Sequence, residues 1–184
     1  MMYDLPVTME VAGRTYDIRW DWRAALDICA ALSDPDLTDA ERAFVALDIF
    51  YPDRAALPEA ALREALAACF RFLSGGRMRE DEGRHGPRLV DWEQDFPYIV
   101  APINRALGQE IRALPSLHWW TFLGYYAEIG SDCTFAAIVR IRDKLARGRA
   151  LDKSERSWYR ENRALVDLPT RYSAREDALA EAWR

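Results

Sequence analysis

His118 is the residue whose chemistry is most suggestive of catalysis, since a histidine can act as a general base or a metal ligand near neutral pH. Both roles require companions, such as a carboxylate that orients the ring or further metal ligands. The other histidine, His85, lies in a charged, glycine-rich segment, and the chain has no HExxH, CxxC or paired-histidine spacing. We therefore expect His118 to be a structural, hydrogen-bonded member of a core or an interface, with no metal bound.

Carboxylates and glycines offer two further routes to a reaction, and neither shows the required pattern. The acidic runs WEQD (92–95) and REDE (79–82) could be acid–base pairs or a magnesium site, but charges at helix ends and in loops are usually solvated. The Gly75–Gly76 pair follows a predicted helix, whereas a phosphate cradle precedes one. No GxSxG motif is present either. The sequence predicts no enzymatic activity and no cofactor.

The most unusual stretch is PSLHWWTFLGYYAEIG (115–130), which packs six ring side chains into nine positions. If it is one helix from near Pro115 to Gly130, its apolar arc is wider than one core face usually takes. Three interpretations stay open: a helix buried nearly all round, a surface that binds another protein, or a small-molecule pocket. Trp and Tyr dominate the energetics of protein interfaces. The possible partner-binding residues are therefore Trp119, Trp120, Tyr125 and Tyr126.

The surrounding segments predict a mainly α protein, a single-domain bundle of about seven helices with an N-terminal β-hairpin over residues 6–20. Alternating apolar and polar residues around Ala-Gly-Arg indicate the hairpin, with Val7 among the residues that helices should cover. Asp21 is a plausible N-cap for a helix that ends near Ser33. Thr38, followed by Glu41 three residues later, is typical of a capping box. Phe44 falls on the expected core face of that second helix.

The second half of the chain is predicted to be helical as well. Helices extend to residue 74, a mobile surface loop rich in glycine and charge follows at 75–89, and a helical half covers 90–184. The single domain is expected to span residues 1–184. Pro97 and Pro102 should kink or break the first helix after the loop.

Arg142 falls inside the apolar arc of its predicted helix, together with Leu145 and other apolar residues. A buried guanidinium requires a carboxylate partner, whereas a side chain that reaches outward to solvent does not. Both arrangements are compatible with the sequence. Our hypothesis is that Arg142 pairs with Asp91 or Asp95 and so ties the elements of the C-terminal half together.

Composition limits the partners of the chain. A formal net charge of −5 argues against nucleic acid as a main partner, and the basic cluster at 138–150 suits a solvated helix end. No apolar run reaches the roughly 20 residues of a membrane span, and no secretion signal is visible, so we expect a cytosolic protein without membrane association. The 3 cysteines are widely separated, which fits reduced, structural thiols.

In three blocks the sequence resembles the bacteriophage gene-product-fifteen family of tailed-phage and prophage proteins. The first block starts a helix, the second is the Leu-His-Trp-Trp-x-Phe core, and the third is an Ile-x-x-Ile-Arg segment. TYDIRWDWRAALDI (15–28) also looks like the N-terminal hairpin and first helix of that family. The matching residues are Val90, Asp91, Trp92 and Asp95, then Leu117, His118, Trp119, Trp120 and Phe122, then Ile138, Ile141 and Arg142.

The resemblance implies a non-enzymatic role in phage assembly. Members of the family are typically encoded between the major tail protein and the tape measure protein, the place occupied by tail assembly chaperones. It therefore implies a chaperone that binds the tape measure protein, or other tail proteins, and keeps it soluble in the cytoplasm of the bacterial host, acting as a homo-oligomer. The alternatives are a structural virion component, such as a tail terminator or connector subunit, and an enzyme that uses His118.

Overall fold

The computed structural model describes residues 4–76 and 86–169. Over these ranges the chain forms one two-stranded hairpin and eight α-helices, with short 3-10 turns between some of them. The prediction of a mainly α protein with an N-terminal hairpin is confirmed. The elements are β1 (Thr8–Val11), β2 (Arg14–Asp17), α1 (Trp22–Leu32), α2 (Asp39–Phe50), α3 (Leu62–Leu73), α4 (Trp92–Leu107), α5 (Trp119–Ala127), α6 (Thr134–Ala146), α7 (Lys153–Glu161) and α8 (Arg163–Val166).

Contacts divide the described chain into two compact units. Unit 1 comprises residues 4–76 and 116–123, and unit 2 comprises residues 86–115 and 124–169, so the division falls within α5. The expectation of one domain over 1–184 stays a prediction. Residues 77–85 of the predicted surface loop lie outside the described residues, as does the weak helix expected near the C-terminus.

The hairpin of unit 1 turns over two residues. Thr8 pairs with Asp17 and Val11 with Arg14, which leaves Ala12 and Gly13 as the turn, with positive φ angles of 49° and 72°. Two positive φ values in a two-residue loop match the twist of the flanking strands. Alanine tolerates this region less readily than glycine. The backbone N–H of Ala12 is held in place because it donates to the Glu64 carboxylate of α3 at 2.9 Å.

The first two helices begin where the sequence indicates, and the first three pack as neighbours. The Asp21 side chain caps α1, which ends at its C-cap Ser33, and Thr38 forms the expected capping box with Glu41 at the start of α2. α1 packs against α2, α2 against α3, and α3 against β1. The core of this unit includes Val11, Ile18, Trp22, Ala25, Ile28, Ala46, Leu47, Phe50, Tyr51, Ala65, Ala68, Cys69 and Phe72.

Three apolar side chains expected to face a core lie outside it. Val7 is 50% exposed because it precedes the first residue of β1, and Phe44 is 55% exposed. The buried stripe of α2 runs instead through Ala46, Leu47 and Phe50, so Phe44 lies beyond its edge. Leu145 of α6 is also exposed, close to the end of its helix.

Unit 2 is built around α4, which is uninterrupted despite its prolines. The helix runs from Trp92 to Leu107 through Pro97 and Pro102, so the expected break is not observed. Each proline removes one backbone donor. The helix is stabilised by its buried side chains Ile99, Val100 and Ile103, by the Asp91 cap and by Gly108, which ends it in the left-handed conformation.

The rest of unit 2 packs α6 against α4 and α8, and α8 against α7. A small core forms where Ile141, Leu151 and Val166 meet, with Trp158 and Tyr159 packed on it. α7 and the short α8 are separated at Asn162.

Cys29, Cys69 and Cys133 form no disulfide, and two of them have thiols of low reactivity. Burial raises the pKa of the Cys69 thiol to about 12 and that of Cys29 to about 11. The thiolate is the reactive form, so neither should react readily at neutral pH.

We expect a thiol reagent to modify the half-buried Cys133 first in the native protein, and all 3 cysteines after denaturation. Cys133→Ser should remove the fast phase, and native labelling of Cys69 at the rate of Cys133 would contradict this account.

Candidate functional site

The ring-rich segment enters α5 through backbone pairing with the start of α1. Trp22 N–H donates to the Leu117 carbonyl at 3.0 Å, and Trp119 N–H donates to the Trp20 carbonyl at 2.8 Å. The Asp21 carboxylate, which also caps α1, accepts from Leu117 N–H at 2.9 Å. These bonds hold residues 117 and 118 in an extended conformation. The helix therefore begins at Trp119, later than the position near Pro115 that the sequence predicts.

His118 lies in the core of unit 1, where the sequence analysis expects it. Its Nε2 is 2.9 Å from the Pro6 carbonyl, and its Nδ1 accepts from Trp120 N–H at 3.0 Å. A carbonyl only accepts and an amide only donates, so the neutral ring with its proton on Nε2 satisfies both bonds. The ring stacks on Trp20 at 5.8 Å and meets Phe72 edge-on at 5.6 Å. Both nitrogens are therefore used by the backbone.

The two tryptophans after His118 complete the end of α3. The indole N–H of Trp119 donates to the Leu73 carbonyl, and that of Trp120 donates to the Phe72 carbonyl, each at 2.9 Å. The last carbonyls of a helix lack intrahelical partners, and these side chains supply them. At Gly76, where φ is 76°, an added Cβ would lie 2.9 Å from the Trp120 ring. This turn therefore requires glycine.

The prediction of Trp119 as a possible partner-binding residue is wrong, because its side chain is buried. It is 2% exposed, with its ring stacked on Phe122 at 5.2 Å, and Phe122 in turn stacks on Trp22 at 5.4 Å. A bulky ring packed among others in a core cannot meet another protein without unfolding. Trp120 is half-buried, and its role in partner binding stays a prediction.

Tyr125 and Tyr126 belong to unit 2 and are half-buried. Tyr126 packs against Trp92 of α4 at 5.2 Å and against Phe135 of α6 at 5.8 Å. Burial, followed by the nearby charge of Asp95, raises the pKa of Tyr126 to about 12. Tyr126 thus has a structural role within the unit, and contact with a partner through either tyrosine stays a prediction.

Arg142 forms the buried ion pair that the sequence suggests. Its two terminal nitrogens bind the two carboxylate oxygens of Asp95 at 2.6 and 3.0 Å, and both side chains are almost fully buried. The remaining N–H groups donate to three backbone carbonyls, at 2.7 to 2.9 Å. A guanidinium has five N–H donors, so none is left without an acceptor. The three carbonyls belong to Leu89, Leu165 and Val166.

Asp91 supports the same pair from the start of α4. Its carboxylate caps the helix by accepting from the backbone of Glu93 and Gln94, and it also receives the guanidinium of Arg88. Its own backbone N–H donates to Asp95 at 2.9 Å. The two buried carboxylates are therefore matched by two arginines, which is the arrangement that makes buried charge tolerable. The network joins α4, α6 and α8 within unit 2.

Neither a metal-ion site nor a membrane-spanning helix is found in the part of the chain that the structure describes. Residues 4–76 and 86–169 contain no group of three or more His, Cys, Asp or Glu side chains placed to hold a metal ion. None of the helices in these ranges has the length and apolar character needed to cross a bilayer.

The sequence matches the model of the family described as Bacteriophage Gp15 protein over residues 1–168. The chain belongs to this family. The match covers both units, including His118, the two tryptophans that follow it and the Arg142 network. No curated protein matches the chain, and no solved structure does.

This Gp15-family chain exposes several large apolar side chains that sequence reasoning did not single out as a contact surface. A helical or strand period places such residues near a core face but does not show where that face ends. They are Leu5, Val7, Phe44 and Phe70 in unit 1 and Leu145 in unit 2, each more than 40% exposed.

Loss of the buried guanidinium should be severe in this Gp15-family protein. Arg142→Ala leaves the Asp95 carboxylate buried without its partner, which we expect to lower the free energy of unfolding by about 3 to 5 kcal/mol in chemical denaturation. The paired change Arg142→Met with Asp95→Leu removes both charges and should recover the part of that loss that comes from the unpaired carboxylate, while the carbonyls of Leu89, Leu165 and Val166 still lose this donor. Arg105→Ala, at an exposed position of α4, is the control and should have little effect. Equal stability of Arg142→Ala and this control would contradict the role of the ion pair.

Proposed function

We propose that this protein is a non-enzymatic tail assembly chaperone that binds the tape measure protein in the cytoplasm of the bacterial host and keeps it soluble. The observation that carries the proposal is the family match over residues 1–168. Proteins of the family that this sequence resembles are typically encoded beside the tape measure protein, where tail assembly chaperones are found. A structural role in the virion is the alternative.

The surface of the chain suits such a client. A tape measure protein is long, helical and apolar, so a chaperone that tail-tube subunits later replace should use many weak contacts. Isolated apolar side chains provide this, because each contributes only about 25 cal/mol for every Å² it buries. Leu5, Val7 and Phe70 of unit 1 are exposed in this way. Half-buried Tyr125 adds a ring with a polar end.

Charge supports the same reading. The chain has a net charge of −5, and a coat of like-charged subunits keeps coated clients apart through mutual repulsion. Weak contacts of individually low affinity can still hold a client when many copies act on one long chain. Self-association of the chaperone would increase this effect.

The hydrogen bonds of His118, the side chain most suggestive of catalysis, support a non-enzymatic role. General-base or metal chemistry at His118 needs a ring nitrogen that faces a substrate or an ion. Both of its nitrogens are within hydrogen-bond distance of backbone groups, Pro6 O and Trp120 N, and the ring is 6% exposed.

Co-expression with the tape measure protein encoded beside it tests the proposal. We expect the tape measure protein to become soluble and to co-purify with this chain, whereas alone it should precipitate. The number of copies bound should increase with the length of the client. If the tape measure protein stays insoluble, and purified virions contain this chain in fixed copy number by mass spectrometry, the protein is a structural component instead.

Surface and core substitutions separate contact from stability. Phe70→Ser and Tyr125→Ala should weaken co-purification of the tape measure protein about tenfold or more while leaving the thermal unfolding temperature almost unchanged. Trp119→Phe is the matched control, since it removes the bond to the Leu73 carbonyl and should lower stability without changing a surface. If Phe70→Ser and Tyr125→Ala both bind like the parent, the client contacts must lie elsewhere.

A further inference from the structure

Unit 2 has an open cleft of about 630 Å³ between the end of α6 and α7. Its floor is apolar and includes Leu145, Leu151 and Tyr159, which lie on or beside the small core of this unit. Its walls are basic, and none of the described residues that line it is a carboxylate. The cationic residues that line it are Arg149, Lys153, Arg156 and Arg160.

Two of the four cations that line the cleft keep their positive charge available for a ligand. Arg149 is paired with Asp143 at 2.8 Å, and Arg156 donates to the Leu151 carbonyl at 2.6 Å. In the described part of the chain, Lys153 and Arg160 make no ion pair. Together with Arg156 they lie three and four residues apart on α7 and so share one helical face. A ligand for this site needs negative charge next to an apolar group.

The outer face of α2 presents this combination. Glu41, Phe44 and Asp48 are exposed and lie three and four residues apart, so two carboxylates flank one aromatic ring on the same face. Hydrogen bonds from Thr38 lower the pKa of Glu41, which keeps its charge in place. The spacing of acid, ring and acid on α2 repeats the spacing of Lys153, Arg156 and Arg160 on α7.

The described residues of unit 1 and the segment of unit 2 that forms the cleft differ in charge in the same sense. The described residues of unit 1 contain thirteen Asp and Glu but only seven Arg and no Lys. Residues 138–163 of unit 2 contain nine Arg and Lys and only four Asp and Glu. Two copies of the chain therefore attract each other when unit 1 of one approaches the cleft of another.

We propose that the chain associates with a second copy of itself by docking the Glu41–Phe44–Asp48 face of α2 into the basic cleft of the partner. Phe44 enters the apolar floor, and the two carboxylates meet the cations of α7. The contact joins two different surfaces, and each copy carries one of each, so further copies can be added in the same way. This inference names the self-contact of the proposed chaperone. It is tested on the protein alone, so it can fail while binding to the tape measure protein holds.

Two variants each remove one side of the contact. The α2 variant is Phe44→Ala with Asp48→Lys, which keeps the Glu41 capping box. The cleft variant is Lys153→Glu with Arg160→Glu, two positions that make no ion pair in the described chain. By sedimentation velocity over a range of concentrations, we expect the parent to self-associate and to dissociate as salt is raised. Each variant should self-associate at least about tenfold more weakly.

Mixing the two variants is the decisive measurement. The α2 variant retains an intact cleft and the cleft variant retains an intact α2 face, so an equal mixture should form a one-to-one pair. That pair should not grow with concentration, because its two remaining surfaces are both altered. Circular dichroism and thermal unfolding of each variant check that it is folded.

Matched controls distinguish this contact from a general effect of charge. Arg63→Glu with Arg105→Glu changes net charge as much as the cleft variant at exposed positions outside it, and Leu5→Ala with Asp17→Lys matches the α2 variant. Both controls should associate like the parent. A monomeric parent at all concentrations, equal losses in the controls, or a mixture that stays monomeric would each overturn the proposal. So would a monomeric parent whose tape measure binding is lost in the cleft variant, which would assign the cleft to the client.

Discussion

The backbone pairing of residues 117–119 with residues 20–22 is the constraint on which unit 1 depends. Peptide groups in a core must find partners, and here two segments far apart in sequence supply them to each other. The pairing fixes the residue at which α5 begins. It thereby decides that Trp119 and Phe122 point into the core and that the indoles reach the end of α3.

The same requirement explains why the ring-rich segment is a scaffold in unit 1. His118, Trp119 and Trp120 each carry a ring nitrogen that costs free energy if it is buried without a bond. Each finds a backbone partner: Pro6 O for His118, Leu73 O for Trp119 and Phe72 O for Trp120. Tryptophan and histidine therefore join elements here through specific bonds, which aliphatic residues of equal volume could not form. The density of rings reflects this joining of loop, hairpin and helix ends.

Local chemistry made much of the fold predictable. Helix starts can be recognised from side chains that form hydrogen bonds with the nearby backbone, and a few consecutive residues contain this information. The examples here are Asp21, Thr38 and Glu41. A buried ion pair of Arg142 was one of two arrangements that the sequence allowed, because a charge inside an apolar arc must either be neutralised or reach solvent. The carboxylate partner of Arg142 is Asp95, a buried residue of α4.

The features that the sequence did not predict depend on contacts between residues far apart in the chain. Nothing in the sequence near Pro115 indicates that residues 20–22 will hold the next residues extended, so the start of α5 was missed and the choice between a buried and a partner-binding Trp119 stayed open. Periodicity alone also could not show that the buried stripe on α2 runs through Ala46, Leu47 and Phe50, with Phe44 beyond its edge. Pro97 and Pro102 do not break α4, because burial of Ile99 and Ile103 opposes the loss of two donors.

The distribution of exposed apolar groups decides what kind of contact this protein can make. A large apolar patch would bind tightly and aggregate, whereas single exposed rings and aliphatic chains separated by charge bind weakly and release. Phe44 illustrates the difference, since Arg54 lies over its ring at 4.9 Å and carboxylates flank it along α2. A partner must therefore satisfy charge as well as shape to reach it. Selectivity of this kind with modest affinity is what a reversible assembly factor requires, and a permanent structural interface would instead bury such a ring in a wide apolar surface.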